Sequence, residues 1–196
     1  MRRWIAILVV GMPGSGKSVF SEAARELGIP AVSMGDVVRL EAAKRGLGQD
    51  AKTMAQLAKA LREERGACAV AELALEHAPS APVVVVEGVR SLEEVEFFRR
   101  AFEKVLVVAI HSSPRTRFNR LVARRREDDP RGWEEFVERD RRELAMGIGE
   151  VIALADYVLV NEGVSREEFL RSCKEWLSRV LTELRARALR VDEGSQ

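Results

Sequence analysis

Apolar residues fall in short unbroken runs, separated by longer stretches in which they recur every three or four positions. The runs are Ile5–Val10, Ala31–Ser33, 83–86, 105–110 and Tyr157–Val160; the helical stretches are 19–27, 37–45, 92–102, 116–126 and 166–190. Runs that are apolar throughout, rather than alternating, belong to strands covered on both faces. The pattern predicts an α/β fold: a three-layer domain around a five-stranded parallel sheet. Gly28-Ile29-Pro30 and Pro79-Ser80-Ala81-Pro82 punctuate helix-to-strand passages, and Ser165 with Glu167 and Glu168 marks a capped helix start.

Between the second and third runs, segment 34–80 shows helical spacing at Met54, Leu57, Ala58 and Leu61, and again at Val70, Leu73 and Ala74. So long an excursion between neighbouring strands predicts a helical subdomain beside the sheet's carboxyl edge, within one domain spanning 1–196.

The chain has 196 residues, 46% of them apolar, with 32 Lys+Arg against 31 Asp+Glu. Disorder, collagen and a multi-pass membrane protein are excluded. Cys68 and Cys173 stand far apart without metal or disulfide spacing, which predicts two reduced, buried thiols in a cytoplasmic protein. Met1-Arg2-Arg3 and the apolar run from Trp4 imitate a signal peptide. They lead into a glycine loop with no cleavage site, so a buried first strand is expected. Side-chain amides are scarce, and charged residues make up 32%, a balance associated with hot environments. The net charge of +1 argues against a nucleic-acid coat and no membrane partner is expected, although Arg115, Arg117, Arg120, Arg124, Arg125 and Arg126 cluster.

The strongest local signal is Gly11-Met12-Pro13-Gly14-Ser15-Gly16-Lys17-Ser18, a G-x-x-x-x-G-K-S directly after a strand and before a helix. Such a loop turns consecutive N–H groups onto an anion, and the helix behind it adds its positive dipole end. Lys17 is expected on the β- and γ-phosphates of ATP, and the Ser18 hydroxyl on Mg²⁺. Glu87, ending the third run, is read as holding the Mg²⁺ water shell, with a plain strand-end carboxylate as the alternative. Gly11 to Ser18, Ser33 to Arg39, Glu87 to Arg90 and Asn161 all converge on the sheet's carboxyl edge, where open α/β sheets bind ligands. No Asn-Lys-x-Asp guanine reader occurs, which argues against a switch GTPase.

Ser33-Met34-Gly35-Asp36-Val37-Val38-Arg39 resembles the Ser-Thr-Gly-Asp-x-x-Arg segment of adenylate kinases and related nucleoside monophosphate kinases. Glu87-Gly88-Val89-Arg90 resembles their Asp-Gly-Phe-Pro-Arg segment. The resemblance implies that Arg39 and Arg90 grip an acceptor's phosphate, with Ser33, Gly35, Asp36, Glu87 and Gly88 around it. A guanidinium binds phosphate bidentately and keeps its charge. Arg120, Arg124, Arg126-Glu127-Asp128-Asp129-Pro130 and Arg139 resemble the family's lid, here over 115–145. That match implies that Arg120, Arg124, Arg126 and Arg139 neutralise the transferred group. Arg125, Arg131, Arg141 and Arg142 are expected on a solvated face.

The pattern is most similar to the archaeal adenylate-kinase-related P-loop group UPF0200, through Glu87 to Val95, Arg126 to Pro130 and Ala155 to Gly163. It departs from true adenylate kinases: Val89 replaces the Phe-Pro pair, and Glu93, Glu94 and Glu96 stand where the adenine-reading glutamine is expected. Asn161 either shapes an adenine pocket or forms a turn. The leading expectation is a Mg²⁺·ATP-dependent kinase acting on nucleotide substrates.

Two alternatives stay open. Dephospho-coenzyme A kinase is similar in its acidic residue after the second strand and its Ala-Asp-Tyr ending. There Asp36 would deprotonate a hydroxyl, a base that an anionic monophosphate acceptor does not need; under the leading reading Asp36 orients Arg39 or caps the following helix. A nucleotide-gated module touching RNA through Arg115 to Arg142 and Trp133 is the other. His77 and His111 are read as structural. Trp176, Leu177, Val180, Leu181 and Leu184 form a helical stripe expected in the core, with a homodimer surface as the alternative to a monomer.

Overall fold

A computed structural model describes residues 5–193, with side chains to Leu184; Met1, Arg2, Arg3 and Trp4 lie outside the described residues. In chain order the elements are β1 (Ile5–Val10), α1 (Lys17–Glu26), β2 (Ala31–Ser33), α2 (Met34–Lys44), α3 (Ala51–Arg65), α4 (Ala69–His77) and β3 (Val83–Glu87). There follow α5 (Leu92–Ala101), β4 (Lys104–His111), α6 (Pro114–Arg124), α7 (Trp133–Ala145), α8 (Ile148–Ala153), β5 (Tyr157–Val160) and α9 (Arg166–Glu193). The five strands form one parallel sheet in the order β2-β3-β1-β4-β5. The sheet order reverses at β1, which places the loop after β1 where ligands enter such sheets.

Period-two alternation sorts the strand residues between two apolar cores. Ile7 and Val9 pack with Phe20, Ala23 and Ala24 of α1 and Phe169, Cys173, Trp176 and Leu177 of α9. Ala6 and Leu8 face Val37, Val38, Leu57, Leu61, Leu73, Phe98 and Ile148 on the other side. The α9 stripe is core: Trp176, Leu177 and Val180 are buried, and the Trp176 ring lies 5.6 Å from Phe20. Segment 34–80 is occupied by α2, α3 and α4, which share their apolar core with the sheet.

Local chemistry sets several boundaries differently from the hydrophobic pattern. Helix α2 begins at Met34, not 37, because the Ser33 Oγ accepts the Asp36 N–H at 3.2 Å and caps it. Helix α6 stops at Arg124, since Arg125 turns left-handed at φ 54°, and Arg126 thereby leaves the helix. Helix α8 has too few residues to show a period, although it buries Ile148 and Val151. The Ser165 start is a reciprocal cap: its Oγ accepts the Glu168 N–H at 3.1 Å, and the Glu168 carboxylate accepts the Ser165 N–H at 2.8 Å.

Cys173 is buried, which pushes its thiol up to about 12. Cys68 is a correction: it is half-buried at the start of α4, its Sγ donating to the Glu93 carbonyl at 3.5 Å. His77 ends α4 and His111 ends β4. Among the described residues no helix is long and apolar enough to cross a membrane.

Leu177 is fully buried between α9 and the sheet. Leu177→Ala is expected to cost about 2–5 kcal/mol. Val122→Ala, on a side chain that is 39% exposed, is expected to cost less than about 0.5 kcal/mol. Guanidinium unfolding midpoints of the two variants check the contrast.

Candidate functional site

The loop between β1 and α1 wraps the amino end of α1, whose first helical residue is Lys17. Gly14 has φ +82°, and a Cβ there would sit 2.8 Å from the Arg117 carbonyl oxygen. Gly16 has φ +108°, and a Cβ there would run into the Asn161 side chain. Only glycine fits both positions. The loop is braced from behind. Asn161 Nδ2 donates to the Ser15 carbonyl at 2.8 Å, Ser112 Oγ donates to the same carbonyl at 3.2 Å, and Arg117 Nη1 donates to the Pro13 carbonyl at 3.2 Å. Among the described residues Ser15 Oγ is buried without a hydrogen-bond partner.

In front of the loop lies a cavity of about 390 Å³, within the size range of small-molecule sites. Eight cationic side chains line it (Lys17, Arg39, Arg90, Arg120, Arg124, Arg126, Arg139 and Arg166) against two carboxylates, Glu87 and Glu143. Ser18, Ser33, Gly35, Gly88 and Asn161 also line it. Such an excess of positive charge in a concave, partly dry space is chemistry for polyanions.

Lys17 turns back onto its own loop, Nζ donating to the carbonyls of Gly11 at 2.5 Å and Met12 at 3.3 Å. Burial pulls its pKa down to about 8, against the upward pull of Glu87 and Glu143. Glu87 ends β3, and its Oε2 accepts from the buried Ser21 hydroxyl of α1 at 2.6 Å.

Segment 115–145, expected as a lid, runs from α6 through a loop into α7, held by Phe118, Trp133 and Phe136 in mutual ring contact. Asp128 and Asp129 tie its arginines down. Asp128 Oδ2 accepts from Arg139 at 3.0 Å and from Arg39 of α2 at 3.2 Å. Asp129 takes Arg124 at both oxygens, at 2.5 and 2.9 Å, and Arg139 at 3.3 Å. Burial would raise the Asp129 pKa, yet its bonds to Arg124 and Arg126 hold it below the ordinary value.

The cavity lining thus gathers Gly11, Pro13, Gly14, Gly16, Lys17, Ser18, Ser33, Gly35, Arg39, Glu87, Gly88, Arg90, Arg120, Arg124, Arg126, Arg139 and Asn161. Met12 instead packs on the apolar core. Asp36 also departs from the expected convergence. In the first turn of α2, it lines a separate cavity of about 270 Å³ beside Gln49, Arg126, Glu127 and Asp128. Its side chain is 61% exposed and holds Arg39 at 2.7 Å. Asn161 is 4% exposed and braces the loop, with its Oδ1 accepting from Arg120 at 3.1 Å. Arg125, Arg131, Arg141 and Arg142 are exposed.

The sequence pattern named Arg117 only as part of a basic cluster, passed over Asp140 and Glu143, and gave Glu94 no role. Arg117 is 4% exposed and grips Asp140 of α7 bidentately at 2.6 and 2.8 Å. Glu143 bonds Arg90, and buried Glu94 accepts from the Arg90 N–H and from Arg62. One signal was available: Glu143 follows Arg139 by four positions and so shares its helix face.

Against known proteins, residues 10–137 match a family described as an AAA domain. A UPF0200 protein of Thermococcus onnurineus is 50% identical over 183 residues, covering 90% of this chain and 98% of that protein. Among solved structures, TT1252 from Thermus thermophilus aligns with TM-score 0.63 and 24% identity, covering 93% of this chain and 99% of its own. Shikimate kinase from Bacteroides thetaiotaomicron aligns with TM-score 0.57 and 20% identity, covering 91% and 98%. The fold is that of P-loop kinases.

A phosphate group placed against Lys17 favours its charged form and raises its pKa from about 8. Nucleotide binding is therefore expected to take up a proton above pH 8, and none at pH 7 or below, where Lys17 is already charged. Titration calorimetry in buffers of different ionisation enthalpy measures this. Lys17→Ala should abolish the uptake.

Proposed function

The chain belongs to the UPF0200 family, and from the geometry of its site we propose that it is an ATP-dependent kinase. It passes the γ-phosphoryl group to a nucleoside monophosphate or a similar phosphorylated acceptor. The observation that carries the reading is the meeting, in one cavity, of the phosphate loop, the acceptor-side pair Arg39 and Arg90, and the lid arginines. Transfer between two anionic groups is mainly a matter of positioning them and neutralising charge, which this lining is equipped to do.

Lys17 and the loop N–H groups bind the donor's phosphates. Arg39 and Arg90 hold the acceptor's phosphate, and Arg120, Arg124, Arg126 and Arg139 neutralise the group in transit. Mg²⁺ fits the Ser18 hydroxyl and, through water, Glu87. Among the described residues no cluster of three or more His, Cys, Asp or Glu could hold a metal ion. A cation there would be held chiefly by phosphate oxygens and water, and would offset phosphate charge.

The dephospho-coenzyme A kinase alternative needs a carboxylate to take a hydroxyl proton. Asp36 is turned toward Arg39 outside the main cavity, and Glu87 and Glu143 are engaged by Ser21 and Arg90. This favours an acceptor that arrives already charged.

A screen of purified protein with Mg²⁺·ATP against nucleoside monophosphates, their deoxy forms and dephospho-coenzyme A tests the reading. Product from a monophosphate is expected; turnover of dephospho-coenzyme A, or hydrolysis alone, would replace it. Lys17→Ala should reduce turnover by at least about a hundredfold with the fold intact. Arg39→Ala should raise the acceptor KM about tenfold or more while leaving ATP binding in place.

A further inference from the structure

Glu143 stands out because it puts a negative charge inside a cavity otherwise built for anions. It is buried on α7, one turn beyond Arg139, and both residues line the cavity. Burial would raise its pKa, but Arg90 and Lys17 hold it below the ordinary carboxylate value, so it is an anion there. A buried carboxylate at that place costs desolvation and repels an incoming phosphate. Those costs call for a compensating role.

Its contacts give one. Glu143 Oε2 accepts the Arg90 Nε–H at 2.8 Å, while Arg90 Nη1 donates to the Gly88 carbonyl at 2.8 Å. The Arg90 backbone N–H donates to Glu94 Oε2, also at 2.8 Å. Arg90 is thus fixed at its backbone, at Nε and at Nη1. Among the described residues its Nη2 has no protein partner, and the side chain is 25% exposed into the cavity.

We infer that Glu143 is a positioning residue. It locks the Arg90 guanidinium so that its unpaired N–H groups meet the phosphoryl group that an acceptor brings into the cavity. This deepens the kinase reading and rests on it. Its hydrogen bond is to Arg90, so its effect falls chiefly on the acceptor. Because Glu143 and Arg139 lie one turn apart on α7, one rigid helix sets the acceptor arginine and an arginine for the transferred group together.

The inference has a sign that simple electrostatics would reverse. If Glu143 only added negative charge, its neutral isostere would bind phosphate more tightly. If it positions Arg90, the isostere binds phosphate more weakly.

The probe is inorganic phosphate, titrated calorimetrically into full-length protein saturated with Mg²⁺ and a non-hydrolysable ATP analogue. Wild type should bind one phosphate, and Glu143→Gln should bind it about tenfold more weakly, with analogue affinity and Tm kept. Arg90→Lys keeps the charge and loses the Nε–H. It should weaken phosphate to a similar extent, and the double variant should add little further.

Phosphate affinity in Glu143→Gln equal to or above wild type would overturn the role of Glu143 alone. Should that variant fail to fold, Glu143→Asp, which keeps the charge but withdraws the carboxylate from Arg90, decides: unchanged affinity overturns the inference, and weakened affinity supports it. No phosphate binding by wild type would remove the acceptor pocket itself, and the positioning role with it.

Discussion

A loop that offers its N–H groups to an anion must turn its carbonyls the other way, and those carbonyls need partners where water cannot reach them. In this chain the need is met at Ser15 and Pro13. The Ser15 carbonyl takes hydrogen bonds from Asn161 and Ser112, and the Pro13 carbonyl takes one from Arg117. All three donors come from the far half of the sequence, after β4 and β5. The loop is therefore held by the completed fold as well as by its own Lys17, which donates to the Gly11 and Met12 carbonyls. This is the reason for the apolar sheet with β1 at its centre: the sheet fixes the ends of β4 and β5 within hydrogen-bond reach of the loop after β1.

The same economy governs charge. Eight cations around one cavity repel one another and would loosen the lid without counter-charges. Most of these counter-charges are engaged at specific hydrogen-bonding atoms. Asp128 joins Arg39 to Arg139, Asp129 takes Arg124 and Arg139, and Asp140 holds Arg117 beneath the loop. The Arg39–Asp128 bond crosses from α2 to the loop between α6 and α7, and the Arg90–Glu143 pair ties α7 to the far side of the cavity. An incoming phosphate competes with these carboxylates for the same N–H groups.

What the sequence disclosed follows from what is local. The phosphate loop is eight contiguous residues, and the strands are contiguous apolar runs; both could be read directly. Segment 34–80 was legible as helices because Leu57, Leu61, Leu73 and Ala74 keep helical spacing. Partnerships across the fold were not legible: nothing near Arg117 names Asp140, and nothing near Arg90 names Glu143. Asn161 could be read as a turn or a pocket wall, because its brace on Ser15 spans 146 positions. Helix α8 was missed for its brevity, and Cys68 was taken as buried because a lone cysteine so often is.

The placement of Asp36 bears on two chemistries that a short-range motif leaves open. On sequence, an acidic residue after the second strand could serve as a base or as an orienting group. The cap by Ser33 begins α2 at Met34, which puts Asp36 in the first turn, three positions before Arg39 and on the same face. Its carboxylate then meets Arg39 before any ligand does. In the main cavity each carboxylate already accepts from one neighbour at its Oε2, Glu87 from Ser21 and Glu143 from Arg90. A phosphate would find guanidinium groups from both flanks. On the proposed reading the lining serves charge neutralisation, and a single hydroxyl, that of Ser33, sets Asp36 against Arg39 by deciding where a helix starts.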